Sequence, residues 1–338
     1  MDVKQVGREL GVRYVLEGSV RKAAGRVRIT AQLIEAQTGA HLWADRFDGS
    51  IEEVFELQDE VAASVAGVIE PTLEAAEIRR SVDRPTNDPT VYDLYLRALV
   101  PVLLGGEKEL YVQCLEMLGE AIKRDPQYAP ALGLAAFCQQ ALHVSGWAED
   151  ASASRRQGVD LARRALQVAR DDPRVLGDVA YVLGYFGEDI DAAIELIDRA
   201  LKANPSYAQG WYWSGWLRLW AGQPELAVSH FEKSLRLNPR ARKSTTFLSI
   251  GVGHFFAQQF ENARTMLLRS LQEHPHWVPT NRFLAACYAH MGQLDEARET
   301  VRRLRSITSV VVPDAAHWRN PEHRELYLSG LRLAVGDT

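Results

Sequence analysis

Between Arg26 and Leu33 apolar and polar residues alternate strictly, with Val27, Ile29, Ala31 and Leu33 set between Arg26, Arg28, Thr30 and Gln32. That two-residue period is the pattern of a half-buried strand. Ala24-Gly25 precedes this run and Thr38-Gly39 follows it. Both dipeptides suit tight turns, so three antiparallel strands are predicted here. Val3 to Leu10 has a helical period instead. A second helix is predicted after Asp48-Gly49-Ser50, where Ser50 and Glu53 have the spacing of a capping box. Residues 1–80 therefore read as helix, three strands and helix, a small α/β segment with incomplete cover for its sheet.

Residues 81–90, SVDRPTNDPT, read as a linker, and beyond them helical periodicity dominates. Pro205 and Pro239 lie 34 residues apart and Pro239 and Pro275 lie 36 apart. In the stretch Ala208 to Pro239, the residues Trp211, Gly215, Gly222, Ala227, Phe231 and Pro239 occupy positions that resemble the tetratricopeptide repeat, whose period is about 34 residues. Gly215 and Ala227 are small where two antiparallel helices must approach closely, Trp211 and Phe231 fill gaps between layers, and Pro239 stops the second helix. The next copy keeps Gly251, Ala263 and Pro275 but has Gln258 where a turn glycine is expected. The last keeps Ala285, Tyr288, Gly292 and Ala297, and an earlier, looser one keeps Gly187, Ala193, Ala200 and Pro205. About six helical hairpins are predicted over 91–308. HVSGWAEDASASRRQG (143–158) reads as an extended turn, and 309–338 reads as a capping segment with a helix from about Pro321. The fold class is mainly α, an α-α superhelix preceded by the incomplete α/β segment.

Charge changes this picture little. With 39 Lys plus Arg against 44 Asp plus Glu, the net charge of −5 gives no broad basic footprint for nucleic acid. Cys114, Cys138 and Cys287 are far apart and odd in number, which fits buried thiols in a reducing compartment. The first residues contain no apolar leader, and no apolar run reaches the roughly 20 residues of a membrane-spanning helix, so a cytoplasmic protein without membrane contact is expected.

Candidate chemistry is sparse. No GxxxxGK[ST] loop, GxSxG elbow or HExxH helix occurs, and Gly251-Val-Gly253 falls in a helix where small residues serve packing. His274 and His276 are close, yet no further ligand at a recurrent spacing joins them. Glu149 and Asp150, and Glu188, Asp189 and Asp191, fall at helix starts or in loops, and carboxylates at a helix start favour the helix dipole. Arg21, Lys22, Arg26 and Arg28 cluster on the first hairpin, either as a solvated tip or as a contact for an acidic partner. No catalytic residue, cofactor or metal is expected.

The run from Val6 to Val61, VGRELGVRYVLEGSVRKAAGRVRITAQLIEAQTGAHLWADRFDGSIEEVFELQDEV, resembles the second half of a TolB-like amino-terminal domain of bacterial signalling proteins, over about residues 3–75. In that family the domain commonly sits between a class III nucleotide cyclase or winged-helix effector and a tetratricopeptide array. This chain begins within the domain, which implies either a longer parent or missing strands supplied by a partner; an edge that those strands would pair is then exposed, and a homodimer formed through it is the expectation.

The resemblance to tetratricopeptide arrays implies a concave groove lined by one stripe of each first helix. Carried onto this sequence, the stripe is Tyr181, Tyr185, Tyr212, Trp216, Trp220, Phe255, Phe256 and His290. It lacks the Lys, Arg and Asn pattern of arrays that clamp a terminal carboxylate, so that clamp is not carried over. Exposed aromatics would favour an apolar or aromatic anchor on a protein or peptide partner. The alternative is that tight curvature buries these rings against the next hairpin or the terminal helix. Two functions follow: a non-catalytic partner-binding scaffold in signalling, or the regulatory part of a class III adenylate cyclase or winged-helix regulator whose effector is absent from this chain.

Overall fold

The computed structural model describes residues 2–83, 90–104, 108–187, 189–238 and 243–336. Glu188, Pro239 and most of the predicted linker, 84–89, lie outside them. Two compact units are formed, Met1–Asn87 and Asp88–Thr338.

The first unit runs α1 (Val3–Leu10), β1 (Tyr14–Ala23), β2 (Arg26–Glu35), β3 (His41–Ser50) and α2 (Val54–Asp83). The strands form one antiparallel sheet in the order β1-β2-β3, with Val20 opposite Ile29 and Leu33 opposite Trp43. Ala24 and Gly25 both have positive φ, 48° and 76°, as a two-residue hairpin loop that follows strand twist requires. Val27, Ala31, Leu33 and Trp43 are buried, and Val68 of α2 packs on the last three. Tyr14 Oη donates to Glu77 at 2.7 Å and Arg13 pairs with the same carboxylate at 2.9 Å, which ties the start of β1 to α2. Ser50 does not cap α2: it ends β3, its Oγ accepts from Glu52 N at 3.2 Å, and the helix starts at Val54. Strand pairing holds Ser50 opposite Arg26, so it cannot turn back to cap the helix. The same helix continues to Asp83, so the first three residues of the predicted linker are helical.

The second unit is a stack of antiparallel hairpins: α3 (Val91–Leu104) with α4 (Lys108–Arg124), α5 (Ala129–Val144) with α6 (Ala151–Val168), and α7 (Pro173–Tyr185) with α8 (Ile190–Ala203). It continues with α9 (Ala208–Trp220) and α10 (Pro224–Leu237), α11 (Lys243–Phe256) and α12 (Phe260–Glu273), α13 (Val278–His290) and α14 (Leu294–Arg305), and ends in α15 (Pro321–Val335). Each second helix packs on the first helix of the next hairpin, and α5 packs on α7 and α7 on α9, while among the described residues successive second helices make no comparable contact. The stack therefore curves into a superhelix with the first helices on its inner face.

Local chemistry accounts for the hairpins. A Cβ on Gly215 would lie 2.4 Å from the Phe231 ring, so only glycine lets α9 and α10 meet around that buried phenylalanine. Gly222 takes φ 85° to end the turn and Pro224 opens α10, where its missing N–H costs nothing. Asp172 and Asp189 accept backbone N–H groups at the starts of α7 and α8. The extended turn expected at 143–158 shrinks to 145–150, because Asp150 accepts from Ala153 N and ASASRRQG becomes the first half of α6. Gly251 and Gly253 pack within α11, where a Cβ would lie 2.9 Å from Leu267 and 2.5 Å from Val228 respectively.

Gln258 takes the glycine conformation of the α11–α12 turn, with φ 57°. A left-handed conformation costs an L-residue about 1–2 kcal/mol, part of which glycine returns through its freer unfolded chain. Gln258→Gly is expected to raise stability by about 0.5–1 kcal/mol, read as an upward shift of the thermal midpoint.

Candidate functional site

The inner face of α7, α9, α11 and α13 carries the aromatic stripe, and the chain's own C-terminal segment lies on it. Trp318, 3% exposed, stands 4.5 Å from Phe256, 6.0 Å from Phe283 and 6.4 Å from Trp216, measured between ring centroids. His317 lies 5.4 Å from Tyr185 and 6.5 Å from Trp220. Arg319 N donates to the Trp220 carbonyl at 3.0 Å, and its Nη2 donates to the Gly184 carbonyl at 2.5 Å. Those carbonyls lie at the C-terminal ends of α9 and α7, where helix dipoles favour a cation. Asn320 then caps α15, accepting from Glu322 N and His323 N, and Pro321 opens that helix.

Along α15, His323 stacks on Phe256 with centroids 4.9 Å apart, and Tyr327 stacks on Phe283 at 4.4 Å. His290 Nε2 sits 2.7 Å from the Leu326 carbonyl and a Cβ on Gly330 would lie 2.7 Å from that imidazole, so α15 meets α13 at hydrogen-bonding range.

Each predicted stripe residue has a distinct place. Trp220, Phe255 and Phe256 are buried, at 2%, 0% and 3% exposure, while Tyr181, Tyr185, Tyr212, Trp216 and His290 are half-buried. Tyr185, Trp220 and Phe256 touch the C-terminal segment directly, and Trp216 reaches Trp318. Tyr181 and Tyr212 turn into the seams between neighbouring hairpins: Tyr181 stacks on Trp213 at 3.9 Å, and Tyr212 Oη accepts from Ser249 Oγ at 3.1 Å. Phe255 is wedged among Phe260, Phe283, His290 and Tyr327.

Trp211 seals the seam of its own hairpin. Its Nε1 donates to the Pro205 carbonyl at 2.8 Å, and Lys233 Nζ sits 3.6 Å from its ring centre, a cation–π contact. The gap between layers is filled by Trp213, whose Nε1 donates to Asp178 at 3.2 Å. Sequence reasoning missed Trp213 and the whole His317-Trp318-Arg319 run. An aromatic and basic cluster directly before an Asn-Pro helix start was the available signal.

Burial governs the titrating groups. Burial pushes the His317 imidazole down to about 4, with Arg319 adding to the effect, and burial does the same to His230, with Arg218 adding there. Unfolded imidazole titrates near 6.5. Protons therefore bind the unfolded chain first as the pH drops, and stability present above about 6.5 is lost as pH falls toward 4. Chemical denaturation midpoints should decline between pH 6.5 and 5, and His317→Asn should flatten that decline.

Cys114, Cys138 and Cys287 are free and buried, and burial pushes the Cys287 thiol up to about 12. Among the described residues no group of three His, Cys, Asp or Glu side chains could hold a metal, and no helix is long and apolar enough to cross a membrane. In the first unit, Leu16, Val20 and Ile29 of the sheet and Val61, Val65 and Ile69 of α2 line an open apolar cleft of ≈ 450 Å³.

Comparison with known proteins agrees with this architecture. Tetratricopeptide repeat models match residues 180–242 and 257–309. The chain is 36% identical over 173 residues to "Putative adenylate cyclase 3" of Rhizobium meliloti (strain 1021), a match covering 51% of this chain and 29% of that protein. It thus spans less than a third of that relative's length. Among solved structures, the human IFIT1 dimer with m7Gppp-AAAA is similar with TM-score 0.56 at 16% identity, covering 70% of this chain and 55% of that one. The APC/C hetero-tetramer Cut9-Hcn1 is similar with TM-score 0.53 at 13% identity, covering 82% of this chain and 49% of that one. At such identities these two likenesses show the fold alone. Within the helical array, residues 180–242 and 257–309 are tetratricopeptide repeats, an architecture that generally serves as a non-catalytic scaffold for protein or peptide partners.

Proposed function

We propose that this chain is a non-catalytic interaction module of a bacterial signalling protein in the cytoplasm, holding a peptide or partner protein on the inner face of α7, α9, α11 and α13. The observation that carries this reading is that the aromatic inner face accepts a non-helical polypeptide, residues 314–320, with a tryptophan seated among Trp216, Phe256 and Phe283. A peptide segment held in a repeat groove is a recurrent mode of recognition. The test places a photo-crosslinking amino acid at Trp216, on the inner face, and in a separate variant at the exposed Leu226 of α10. Intermolecular adducts with cellular polypeptides are expected at position 216 in excess over position 226. Equal yields would overturn the assignment.

A second reading makes the chain the regulatory part of a class III adenylate cyclase or a winged-helix regulator. The similarity to the putative adenylate cyclase favours the cyclase, while the TolB-like resemblance of residues 3–75 supports either effector. In both readings the purified chain should form no cyclic AMP from ATP, and sustained formation would overturn its non-catalytic role.

A further inference from the structure

The connection between α14 and α15, residues 306–320, is much longer than the turns inside the hairpins, and it follows a defined course. Arg282 of α13 donates to the Val310 carbonyl at 2.5 Å, Ala315 is buried, and three consecutive side chains then engage the inner face. His317 meets the Tyr185 and Trp220 rings, Trp318 enters the pocket of Phe256 and Phe283, and the Arg319 guanidinium reaches the end of α7 at Gly184. Further down the chain, Arg324 donates back to the Trp318 carbonyl at 2.7 Å, which fixes the tryptophan on the start of α15. Trp318 and Arg319 thus use two unlike features of the surface. One is an aromatic box, and the other is a pair of helix C-terminal carbonyls.

The fit is incomplete in one respect. The indole N–H groups of Trp220 and Trp318 are both buried, and neither has a hydrogen-bond partner among the described residues. A buried donor left unpaired is costly, so a segment that brings a carbonyl oxygen to the Trp220 indole, and carries no unpaired indole of its own, holds an advantage over the one now seated there. His323 Nδ1 of α15 is also unpartnered at this junction.

We infer that residues 310–320 are a cis-acting occupant of the partner site, and that the partner carries an aromatic ring followed by a basic residue in a non-helical segment with a carbonyl placed to accept from Trp220. This inference rests on the inner-face reading given above and specifies its ligand. Binding displaces the strap, so the partner's apparent affinity is its intrinsic affinity multiplied by the fraction of molecules whose strap is open. A strap closed in nine molecules of ten weakens apparent binding about tenfold.

The test uses the full chain and a fluorescent synthetic peptide with the sequence of residues 312–325, VPDAAHWRNPEHRE. The unaltered chain should bind it weakly, and W318A/R319A in the full chain, which empties the cis site, should bind it at least about tenfold more tightly. Adding Phe256→Ala to that variant should remove the gain, and a peptide with alanine in place of its tryptophan should fail to compete. Equal binding by the unaltered chain and the double variant, or no binding by either, would overturn the inference.

Should W318A/R319A not fold, as judged by circular dichroism, Arg319→Ala alone is measured by hydrogen exchange. The amides of residues 310–320 should exchange faster when the peptide is added, and unchanged exchange would overturn the inference. Partner crosslinks at position 216 combined with peptide indifference would sink the strap inference alone, which separates its failure from that of the inner-face reading.

Discussion

Trp220→Ala should lower the unfolding free energy by about 3–5 kcal/mol, the range for truncating a buried aromatic. The indole is 2% exposed and lies 5.1 Å from Tyr181 and 5.5 Å from Tyr185, so it joins α9 to α7 as well as supporting His317. Little in that layer can collapse into the space, because Tyr181 is itself held against Trp213. Thermal unfolding should fall by about 10 °C, since one kcal/mol moves a unit of this size by about 2–4 °C. Trp216→Ala should cost much less, as that ring is half-buried. A loss below about 1 kcal/mol for Trp220→Ala would place the side chain in the groove instead of the core.

Phe255→Ala and Phe256→Ala, adjacent substitutions on one helix, should separate the core from the strap. Phe255 has no exposed surface and contacts α12, α13 and α15 through Phe260, Phe283 and Tyr327, so its loss should cost about 3–5 kcal/mol and loosen the last two hairpins together. Phe256 faces Trp318 and His323, so its truncation should chiefly release residues 310–327. Hydrogen exchange distinguishes the two: protection should fall across α11–α14 for Phe255→Ala and across 310–327 for Phe256→Ala. The same protection map from both variants would show that the strap is an integral part of the array.

The aromatic stripe shows where reading along the chain stops being sufficient. Steps of four residues advance about 40° beyond a full turn of helix, so Trp220 stands about 80° around α9 from Tyr212. A row that looks continuous in the sequence therefore passes from the α10 and α11 side to the α7 side, and Tyr212 meets Phe231 and Ser249 while Trp220 meets Tyr181 and Tyr185. Trp213 belongs with Leu217 and Trp220 on the α7 side, a relation that spacing contains but that single-stripe bookkeeping hides. Gln258 was legible as a glycine position occupied by another residue, because turn geometry is local.

What the sequence determined by itself is what short-range chemistry controls. The alternation over Arg26–Leu33 produced a strand, the Ala24-Gly25 pair produced its turn, Gly215 and Phe231 made a hairpin, and Asn320-Pro321 started the last helix. Tertiary structure alone decided what covers the inner face. Arg319 reaches the Gly184 carbonyl across 135 positions of chain, and no local preference of HWRN points toward α7. That contact exists because the stacked first helices bring their C-terminal carbonyls and aromatic rings onto one surface, and only a surface assembled from four separate hairpins can accept the strap.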